Sequence, residues 1–402
     1  MPQTRRRLVV AIGIGFLVAG CGGSATTGGG ATETLTVGNL ESLSGAGQSV
    51  GVPQDQAIQL AVDEINAAGG FKVGGTTYKI ALDTQDDKSD PTAGVTAVQK
   101  LLTSGKINYI VGSLSSAVTS AYVPIIKDRD DIISIVVGAA VEGITDNMPI
   151  YRPRVTLSQY TSGTLNYLKQ HPEFKRVAIL TDNKHAGFVQ QTPLLKDGMT
   201  QAGVNVVANE QYTFGATQFG PQLSAMMRAT PDLINMRGYP ADLARVIKQA
   251  RELGYQGPIL STSGFTAKDV NDAQASPAMA GVSEVFAPLV SDLIEGNKNK
   301  DQAQKFENAY QKRYGQPSGT TSASAYDGVY ILVHAMQKAN TVKDIAKVRA
   351  ALDALKTTDV PELVEPIKPQ SGGLIFKAHQ AYFILVERQW KDGAFHPISF
   401  VG

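Results

Sequence analysis

Short apolar runs alternate with longer amphipathic stretches along the chain from about residue 34 onwards. The run Leu35–Gly38 is typical of a strand, and the stretch after it places Ile58, Ala61 and Ile65 on one face of a helix. The same order of strand and helix then repeats through the chain. Such a βαβα series predicts an α/β fold in which helices cover both faces of doubly wound parallel sheets.

Proline, glycine and acidic residues predict where these elements begin and end. Pro53 is predicted to open the first long helix, because the N–H that proline lacks is not needed in a first turn. Asp90 precedes Pro91 and is predicted to cap the second helix. Further along, Asp131–Val137 is predicted as one strand and Ala381–Glu387 as the final strand.

The series restarts after Arg154, which predicts two doubly wound, Rossmann-like lobes. Two late helices, predicted over 301–314 and 322–338, would return to the first lobe, and the final strand would return to the second. The predicted boundaries are an N-terminal lobe of residues 34–155 and about 287–375, and a C-terminal lobe of residues 156–286 and about 376–402.

The composition is that of an ordinary globular protein, since 43% of the 402 residues are hydrophobic and 18% are charged. The 37 basic residues nearly balance the 36 acidic ones, so the net charge gives no reason to expect a nucleic-acid partner. The single cysteine excludes an internal disulfide framework and a cysteine-based zinc site. The fold must therefore be held by its core.

The N-terminus carries the features of an export signal. Arg5–Arg7 form a basic start, and the uncharged stretch Leu8–Ala19 is too short to span a bilayer of about 30 Å. The residues up to Cys21 resemble the bacterial lipobox, which implies cleavage before Cys21 and lipidation of its thiol. An ordinary signal peptide with an incidental cysteine is the alternative. We expect a signal peptide at 1–20, a flexible tether at 21–33, and an extracytoplasmic protein held to the bacterial membrane by lipid alone.

The sequence contains no recognisable constellation of catalytic side chains. Its 5 histidines are scattered, and neither a phosphate-binding loop nor a Gly-x-Ser-x-Gly elbow occurs. Asp86, Asp87 and Asp90 lack the glycine and the distal glutamate of an EF-hand, so we interpret them as loop and capping acids instead of a calcium site. This pattern favours a binding protein over an enzyme, with no metal and no cofactor.

Several segments together resemble the type I periplasmic binding proteins, specifically their leucine/isoleucine/valine-binding branch. Ala61–Gly70 is similar to the first helix and turn of that family, Asp83–Asp87 to its acidic segment, Gly112–Ser116 to a ligand-binding loop and Ala325–Gly328 to a late helix. The resemblance covers nearly all of residues 34–390. It implies two lobes joined by three hinge strands and a small-molecule solute trapped between them. It also implies delivery of that solute to the transmembrane permease of an ABC importer.

The resemblance also implies ligand contacts in the loops that follow two strands and on the late helix: Leu114, Ser115, Ser116, Gly138, Ala139, Ala140 and Tyr326. Loops of this kind lie at the carboxyl ends of strands, where open α/β sheets bind ligands. Ser115 and Ser116 would open a helix, where hydroxyls and free N–H groups suit a carboxylate. Helix capping without any ligand contact is the alternative for these two serines.

Other positions depart from the family pattern. The threonine that contacts the ligand amino acid is replaced by Ala140, and the acid that holds the ligand ammonium would fall near Ser263, where none is present. Family tyrosines would fall near Val50, Ala186 and Met236, none of which is aromatic. Because a buried ammonium without a partner is costly, we expect a small polar or carboxylate-bearing solute instead of a branched-chain amino acid.

Arg237 is a candidate by its position alone. It follows the predicted strand Leu233–Met236 at the mouth of the second lobe. A guanidinium group in a cleft can hold a carboxylate with two hydrogen bonds. An exposed loop arginine is the alternative.

The sequence as a whole predicts a monomeric solute-binding lipoprotein of an ABC importer. The alternative is a protein of the same fold that senses a ligand outside the cytoplasm and presents it to a membrane receptor.

Overall fold

The computed structural model describes residues 31–146 and 148–401. The strands are β1 (Thr32–Glu41), β2 (Phe71–Val73), β3 (Thr76–Asp86), β4 (Tyr109–Gly112), β5 (Ile133–Ile135), β6 (Ile150–Tyr151), β7 (Arg176–Asp182), β8 (Asn205–Tyr212), β9 (Leu233–Arg237), β10 (Ile259–Thr262), β11 (Val282–Phe286), β12 (Ile367–Lys368), β13 (Phe376–Lys377), β14 (Gln380–Phe383), β15 (Leu385–Lys391) and β16 (Ala394–Val401). The α-helices are α1 (Gln48–Ala67), α2 (Pro91–Thr103), α3 (Ser116–Ile126), α4 (Leu157–Gln170), α5 (Ala186–Gln201), α6 (Gly220–Arg228), α7 (Pro240–Glu252), α8 (Ala267–Asp272), α9 (Val290–Glu295), α10 (Lys300–Tyr314), α11 (Ser322–Ala339) and α12 (Ile345–Asp353).

The predicted signal peptide, Cys21 and most of the predicted tether lie outside the described residues. The first strand already begins at Thr32, two residues before the predicted start of the fold. Within the described part of the chain, no helix combines the length and the apolar character needed to cross a lipid bilayer.

The first lobe is built on a six-stranded sheet with the order β2-β3-β1-β4-β5-β6. Strands β3, β1, β4, β5 and β6 run parallel, and every residue of β4 is buried. Strands of this kind need cover on both faces. Helix α1 packs against α11 and α2 packs against α3, so the late helix α11 does return to the first lobe.

The second lobe is built on a seven-stranded sheet with the order β16-β15-β11-β10-β9-β7-β8. Its strands β8, β7, β9, β10 and β11 run parallel, whereas β15 and β16 run antiparallel. Helix α4 packs against α5, and α7 packs against α8. The predicted α/β fold of two doubly wound lobes is therefore confirmed, with antiparallel strands added at the edges.

The antiparallel edges arise from tight glycine turns. Asp392 and Gly393 join β15 to β16 with φ angles of 52° and 87°. Two positive φ angles characterise the type I′ turn, for which Asp-Gly is a preferred pair. This pair is the sequence signal for the hairpin.

The segments that cross between the lobes meet at Gln380. Its Nε2 donates to the carbonyl of Arg154 at 2.8 Å, and its Oε1 accepts from Nε of Arg152. A second crossing runs through α9, which contacts both β16 and α10. At the third, β14 pairs with β12 and β13 in a small sheet, whereas β15 joins the second lobe. The prediction of one strand over Ala381–Glu387 is wrong, because the chain changes sheets at Ile384.

The predicted start of the first long helix is also wrong. Helix α1 begins at Gln48 and contains Pro53 in its interior. Its first turn is held by the Gly47 carbonyl, which accepts from the N–H of Gly51 at 2.8 Å. Gly51 packs so closely on the backbone of Ser42 that a Cβ would overlap the carbonyl oxygen there. Packing of this turn outweighs the local preference of proline for a helix start.

The acidic segment before α2 fits the interpretation given to it. Asp90 caps α2, since its Oδ1 accepts from the N–H of the third residue of the helix at 2.9 Å. Asp86 accepts from the N–H of Leu43 at 3.0 Å, and Asp87 from the hydroxyl of Ser42 at 2.7 Å. The three carboxylates are thus loop and capping acids.

Candidate ligand-binding cleft

A cavity lies between the two lobes, where the carboxyl ends of both parallel sheets face each other. It leaves about 50 Å³ for the centres of water-sized molecules, which is room for several waters or a small ligand. The residues around it are Val50, Leu114, Ser116, Gly138, Ala140, Arg154, Leu157, Tyr160, His185, Phe188, Gly238, Tyr239, Pro240, Ser263, Phe286, Thr320 and Thr321. Five of the nine candidate ligand residues from the sequence are among them: Leu114, Ser116, Gly138, Ala140 and Ser263.

The wall on the first lobe consists of small residues. Leu114 and Ser116 follow β4, and Gly138 and Ala140 follow β5. A Cβ on Gly138 would lie 2.7 Å from Cα of Leu114, so only glycine lets these two loops approach each other.

Ser115 and Ser116 have different roles. Ser115 is the N-cap of α3, where its Oγ accepts from the N–H of Val118 at 3.4 Å, and it does not border the cavity. Ser116 is the first residue of the helix and does border it. Ala139 also faces away, with its N–H donating to the Ser113 carbonyl at 3.0 Å. Capping, the alternative for both serines, thus describes Ser115, whereas Ser116 borders the cavity and its ligand contact stays a prediction.

The wall on the second lobe consists of rings. Tyr160 from α4 stacks on Phe286 at the end of β11, with ring centroids 4.8 Å apart and 16° between the planes. His185, at the start of α5, stacks on Phe188 at 4.2 Å and lies 5.0 Å from the ring of Tyr239. All five rings border the cavity. Offset and tilted contacts at these distances are the favourable arrangements for aromatic groups.

Arg154 borders the cavity beside two of these rings. Its Nη2 donates to Oη of Tyr160 at 2.8 Å, and its guanidinium carbon lies 5.9 Å from the Tyr160 ring centre and 5.4 Å from that of Phe286. The residue is 2% exposed, and its Nε and Nη1 have no hydrogen-bond partner among the described residues. Glu365 is also buried, which raises the pKa of its carboxyl group, and the positive charge of Arg154 opposes that rise. Arg154 is thus a buried cation with unused donors.

The acid behind Ser263 is turned away from the cavity. Oε1 of Glu284 accepts from the N–H groups of Ser263 at 3.1 Å and Gly264 at 2.7 Å, and Oε2 accepts from Nε of Arg388 at 2.9 Å. Glu284 is fully buried, and Arg388 compensates its charge. Among the described residues that line the cavity, none is Asp or Glu. The wall therefore offers no side-chain carboxylate to a ligand ammonium.

Arg237 does not border the cavity, although the sequence made it a candidate. Its guanidinium carbon lies behind the Phe188 ring, 4.8 Å from the ring centre, and Nη1 donates to the hydroxyl of Thr192 at 3.2 Å. Burial lowers the pKa of Arg237 to about 9, so the group stays charged at neutral pH. It therefore matches neither the predicted carboxylate clamp nor the exposed loop residue of the alternative. It contacts the cavity wall indirectly, by packing on the Phe188 ring, and its charge adds to the burial that lowers the pKa of His185.

Tyr326 is placed away from the cavity as well. Its Oη donates to Glu64 at 2.5 Å, and its ring meets that of Phe306 edge-on at 4.9 Å. These contacts join Tyr326 on α11 to one residue of α1 and one of α10. The position that the resemblance implied for Tyr326 is wrong, because the helix directs this side chain into the first-lobe core.

His185 is a half-buried imidazole at the cavity. Burial, together with the positive charge of Arg237, lowers the pKa of His185 to about 4. Its Nδ1 lies 3.4 Å from the N–H of Phe188 and accepts from it. The ring is therefore neutral at physiological pH and carries its proton on Nε2.

Sequence reasoning missed the ring wall and Arg154. His185 is adjacent to Ala186, and Tyr239 lies three residues after Met236, so rings are supplied next to positions where the family tyrosines are missing. A search of the neighbouring residues would have found them. Arg154 was treated only as a lobe boundary, because no local pattern marks this residue of the crossing segment as part of a cavity.

Comparison with known proteins places the chain in a family. A family model described as "Periplasmic binding protein" matches residues 34–381, which is most of the chain. The chain therefore belongs to the periplasmic binding proteins. Members of this family are solute-binding proteins that work outside the cytoplasm, and the resemblance seen in the sequence is confirmed.

The chain is similar to several individual proteins. It is 23% identical to the Leu/Ile/Val-binding protein of Escherichia coli (strain K12) over 353 residues, which cover 87% of this chain and 90% of the relative. A leucine-binding protein, LivK, from Thermotoga maritima has a TM-score of 0.78 at 20% identity, with 92% and 99% of the two chains covered. An ABC transporter solute-binding protein from R. palustris, solved in complex with benzoate, has a TM-score of 0.75 at 21% identity, with 92% and 96% covered.

Proposed function

We propose that this protein is the solute-binding lipoprotein of an ABC importer and that it captures a small carboxylate-bearing solute between its lobes. The solute would then be delivered to the transmembrane permease. The chain would act as a monomer without catalysis, attached to the membrane only through a lipid on Cys21. Family membership supports solute binding and the location outside the cytoplasm.

Arg154 is the observation that carries the carboxylate part of the proposal. Two donors of this buried cation, Nε and Nη1, have no hydrogen-bond partner among the described residues, and a ligand carboxylate would supply both a charge and acceptors for them. Among the described residues that line the cavity there is no Asp or Glu to hold an ammonium group, and Glu365, the buried acid on which the charge of Arg154 acts, does not line it. An anionic ligand therefore suits the cavity better than a zwitterionic one.

The similar proteins are consistent with a range of acids. One is named for leucine, isoleucine and valine, and another was solved with benzoate. Each of these ligands carries a carboxylate, and they differ in whether an ammonium group accompanies it. The chain has lost the acid expected near Ser263, which favours the ligands without ammonium.

The carboxylate is tested with pairs of isosteres on the mature protein. Benzoate and isovalerate are each compared with their amides and with leucine by thermal shift, and binding is confirmed by calorimetry. A ligand at about 100 times its Kd stabilises a protein by about 2.7 kcal/mol, which is readily measured. We expect at least one acid to stabilise the protein and its amide to have little effect. Stabilisation by leucine and by neither acid would refute the proposed ligand class.

Arg154→Met gives the matching variant test. Truncating one partner of a buried charge pair costs about 2–5 kcal/mol, so binding of the stabilising acid should weaken by at least about 30-fold. Arg313→Met is the control, because Arg313 pairs with Asp63 on the surface of the first lobe. Equal affinity of wild type and Arg154→Met would remove the basis of the proposal.

The lipid anchor is tested at Cys21. Cys21→Ser should abolish acylation, move the protein from the detergent phase to the aqueous phase, and remove the acyl mass from the N-terminal peptide. A wild-type protein that is cleaved elsewhere and carries no acyl group would show that the lipobox is incidental.

A further inference from the structure

We infer that the ligand is a planar, conjugated carboxylate, namely an aromatic acid or its unsaturated equivalent, and that the second lobe reads its flat face. This inference rests on the proposed function, since it takes a carboxylate bound at Arg154 as its starting point. It adds what the carboxylate is attached to.

The ring surface is the first observation. Four aromatic side chains and one neutral imidazole border the cavity on its second-lobe side: Tyr160, Phe188, Tyr239, Phe286 and His185. Tyr160 and Phe286 lie nearly parallel, with 16° between their planes, and both are at least nine-tenths buried. Rings held in this way are rigid, and a second flat π-system gains more from them than a branched aliphatic chain does.

The position of Arg154 relative to these rings is the second observation. Its guanidinium carbon lies 5.4 Å from the centre of the Phe286 ring and 5.9 Å from that of Tyr160. A carboxylate bound to Arg154 therefore places the atom that bears it directly beside the ring pair. In an aromatic acid that atom belongs to the ring itself, so the charged group and the π-face reach their partners together.

The same geometry acts against an α-amino acid. Its ammonium group is one carbon away from the carboxylate and would lie close to Arg154, where two positive charges repel each other. The charge of Glu365 acts on Arg154 itself. No acid lies on the described wall to pair with a ligand ammonium group, since Glu284 is directed towards Arg388. For an amino acid, repulsion between its ammonium group and Arg154 would thus offset the attraction between its carboxylate and Arg154.

The opposite wall fits a thin ligand. Ala140 presents only a methyl group at the loop that follows β5, and Gly138 lets that loop pack closely on Leu114. The remaining room, about 50 Å³ for the centres of water-sized molecules, is small. A flat ring can enter between this shallow wall and the ring wall, whereas a puckered ring of the same carbon number is thicker.

The test compares benzoate with cyclohexanecarboxylate and phenylalanine on the mature wild-type protein by calorimetry. The first two acids differ in planarity and not in charge, and phenylalanine adds an ammonium group to an aromatic ring. We expect benzoate to bind at least about tenfold more tightly than cyclohexanecarboxylate, and phenylalanine to bind more weakly than both. Equal affinity for the two cyclic acids would overturn this inference and leave the proposed function intact. Failure of every carboxylate would refute the proposed function itself.

Two readouts locate the effect in the ring wall. Phe286→Leu should reduce the ratio of the benzoate and cyclohexanecarboxylate affinities towards one, whereas Tyr160→Phe keeps both rings and should keep the ratio. The control is Phe306→Leu, because Phe306 packs in the first lobe against Tyr326. An unchanged ratio in Phe286→Leu would overturn the inference.

A measurement on the unmodified protein covers the case in which a variant fails to fold. Saturation with benzoate should shift its proton resonances upfield, because ring currents above Tyr160 and Phe286 shield a ligand stacked on them. Bound benzoate without any such shift would show that the ligand ring does not contact the ring wall.

Discussion

The two walls of the cleft differ in chemistry although both lie at the ends of parallel strands. The first lobe contributes small side chains, such as Ser116, Gly138 and Ala140, whereas the second lobe contributes rings, with Arg154 in the crossing segment. Under the proposed function, the rings and the cation would select the ligand, whereas the small residues would let the lobes approach closely. One fold would then divide shape and selectivity between the two halves of a site.

The carboxylates behind the two walls differ as well. Behind the first wall, Glu41 is fully buried, its Oε1 accepts from Gln54 at 3.0 Å, and its Oε2 has no partner among the described residues. Behind the second wall, Glu284 is compensated by Arg388. The acid nearest to Ser263 is thus paired with Arg388 and not with Arg154, which supports the proposal of an anionic ligand.

The largest expected effect on ligand binding comes from Gly264, where a side chain would block closure of the lobes, in contrast to Gly138 on the first lobe. Gly264 has a φ of 79°, and a Cβ there would overlap Cγ2 of Thr320 on the opposite side of the cleft and lie 2.5 Å from Cε1 of Phe286. Gly264→Ala adds backbone strain of about 1–3 kcal/mol to this overlap. We expect binding of the stabilising acid to weaken by about 100-fold or more, and the radius of gyration at saturating ligand to stay that of the open form.

Gly138→Ala is the matched variant on the first lobe. Its Cβ would press on Leu114 within the same lobe, so affinity should fall while ligand-induced closure persists in solution scattering. The comparison fails if Gly264→Ala closes on ligand as completely as the wild type does.

The sequence predicted the fold well because its signals are local and repeated. Strand and helix alternate throughout, Asp90 caps α2 as expected, and Ser116 opens α3. The failures come from tertiary contacts that local patterns do not contain. Pro53 lies inside α1 because Gly51 packs on the Ser42 backbone.

The site was predicted only in part for the same reason. Loops at strand ends were located correctly, so Leu114, Ser116 and Ser263 border the cavity. The direction of a side chain on a helix was not predictable from a motif, and Tyr326 therefore lies in the core. Arg154 borders the cavity only because a crossing segment places it there, and no local pattern specifies that.

The next effect in size is the pH dependence of the unfolding free energy that Asp182 causes in the second lobe. Burial, with the charge of Asp242 adding to it, raises the pKa of Asp182 to about 6 from an ordinary value of 3.8. The folded protein thus binds this proton more tightly than the unfolded chain, so its contribution to stability is present below pH 4 and is lost as the pH rises to about 6. A shift of about two units corresponds to about 3 kcal/mol.

Asp182→Asn should remove this loss. Asparagine can still accept through Oδ1 from the N–H of Lys184, a bond of 2.9 Å in the wild type. The difference in unfolding free energy between variant and wild type should grow by about 2–3 kcal/mol from pH 4 to pH 7, measured by urea denaturation. A difference that does not change with pH would show that Asp182 does not carry this proton.

The smallest expected effect tests the hydrogen bond that links the two walls directly. Oγ1 of Thr320 donates to the carbonyl of Gly264 at 2.8 Å, and this bond joins the first-lobe side of the cleft to the second lobe. Thr320→Val keeps the shape and removes the donor, which costs about 0.5–1.5 kcal/mol. Because the bond exists only when the lobes are closed, ligand release should become about 2- to 13-fold faster while the association rate stays unchanged. Thr320→Ser should retain the wild-type rate.

Thr321→Val is the control, since Thr321 donates to Gln54 at 2.7 Å within the first lobe. Equal acceleration of release in both valine variants would mean that the loss arises in the wall of the first lobe and not in the bond across the cleft.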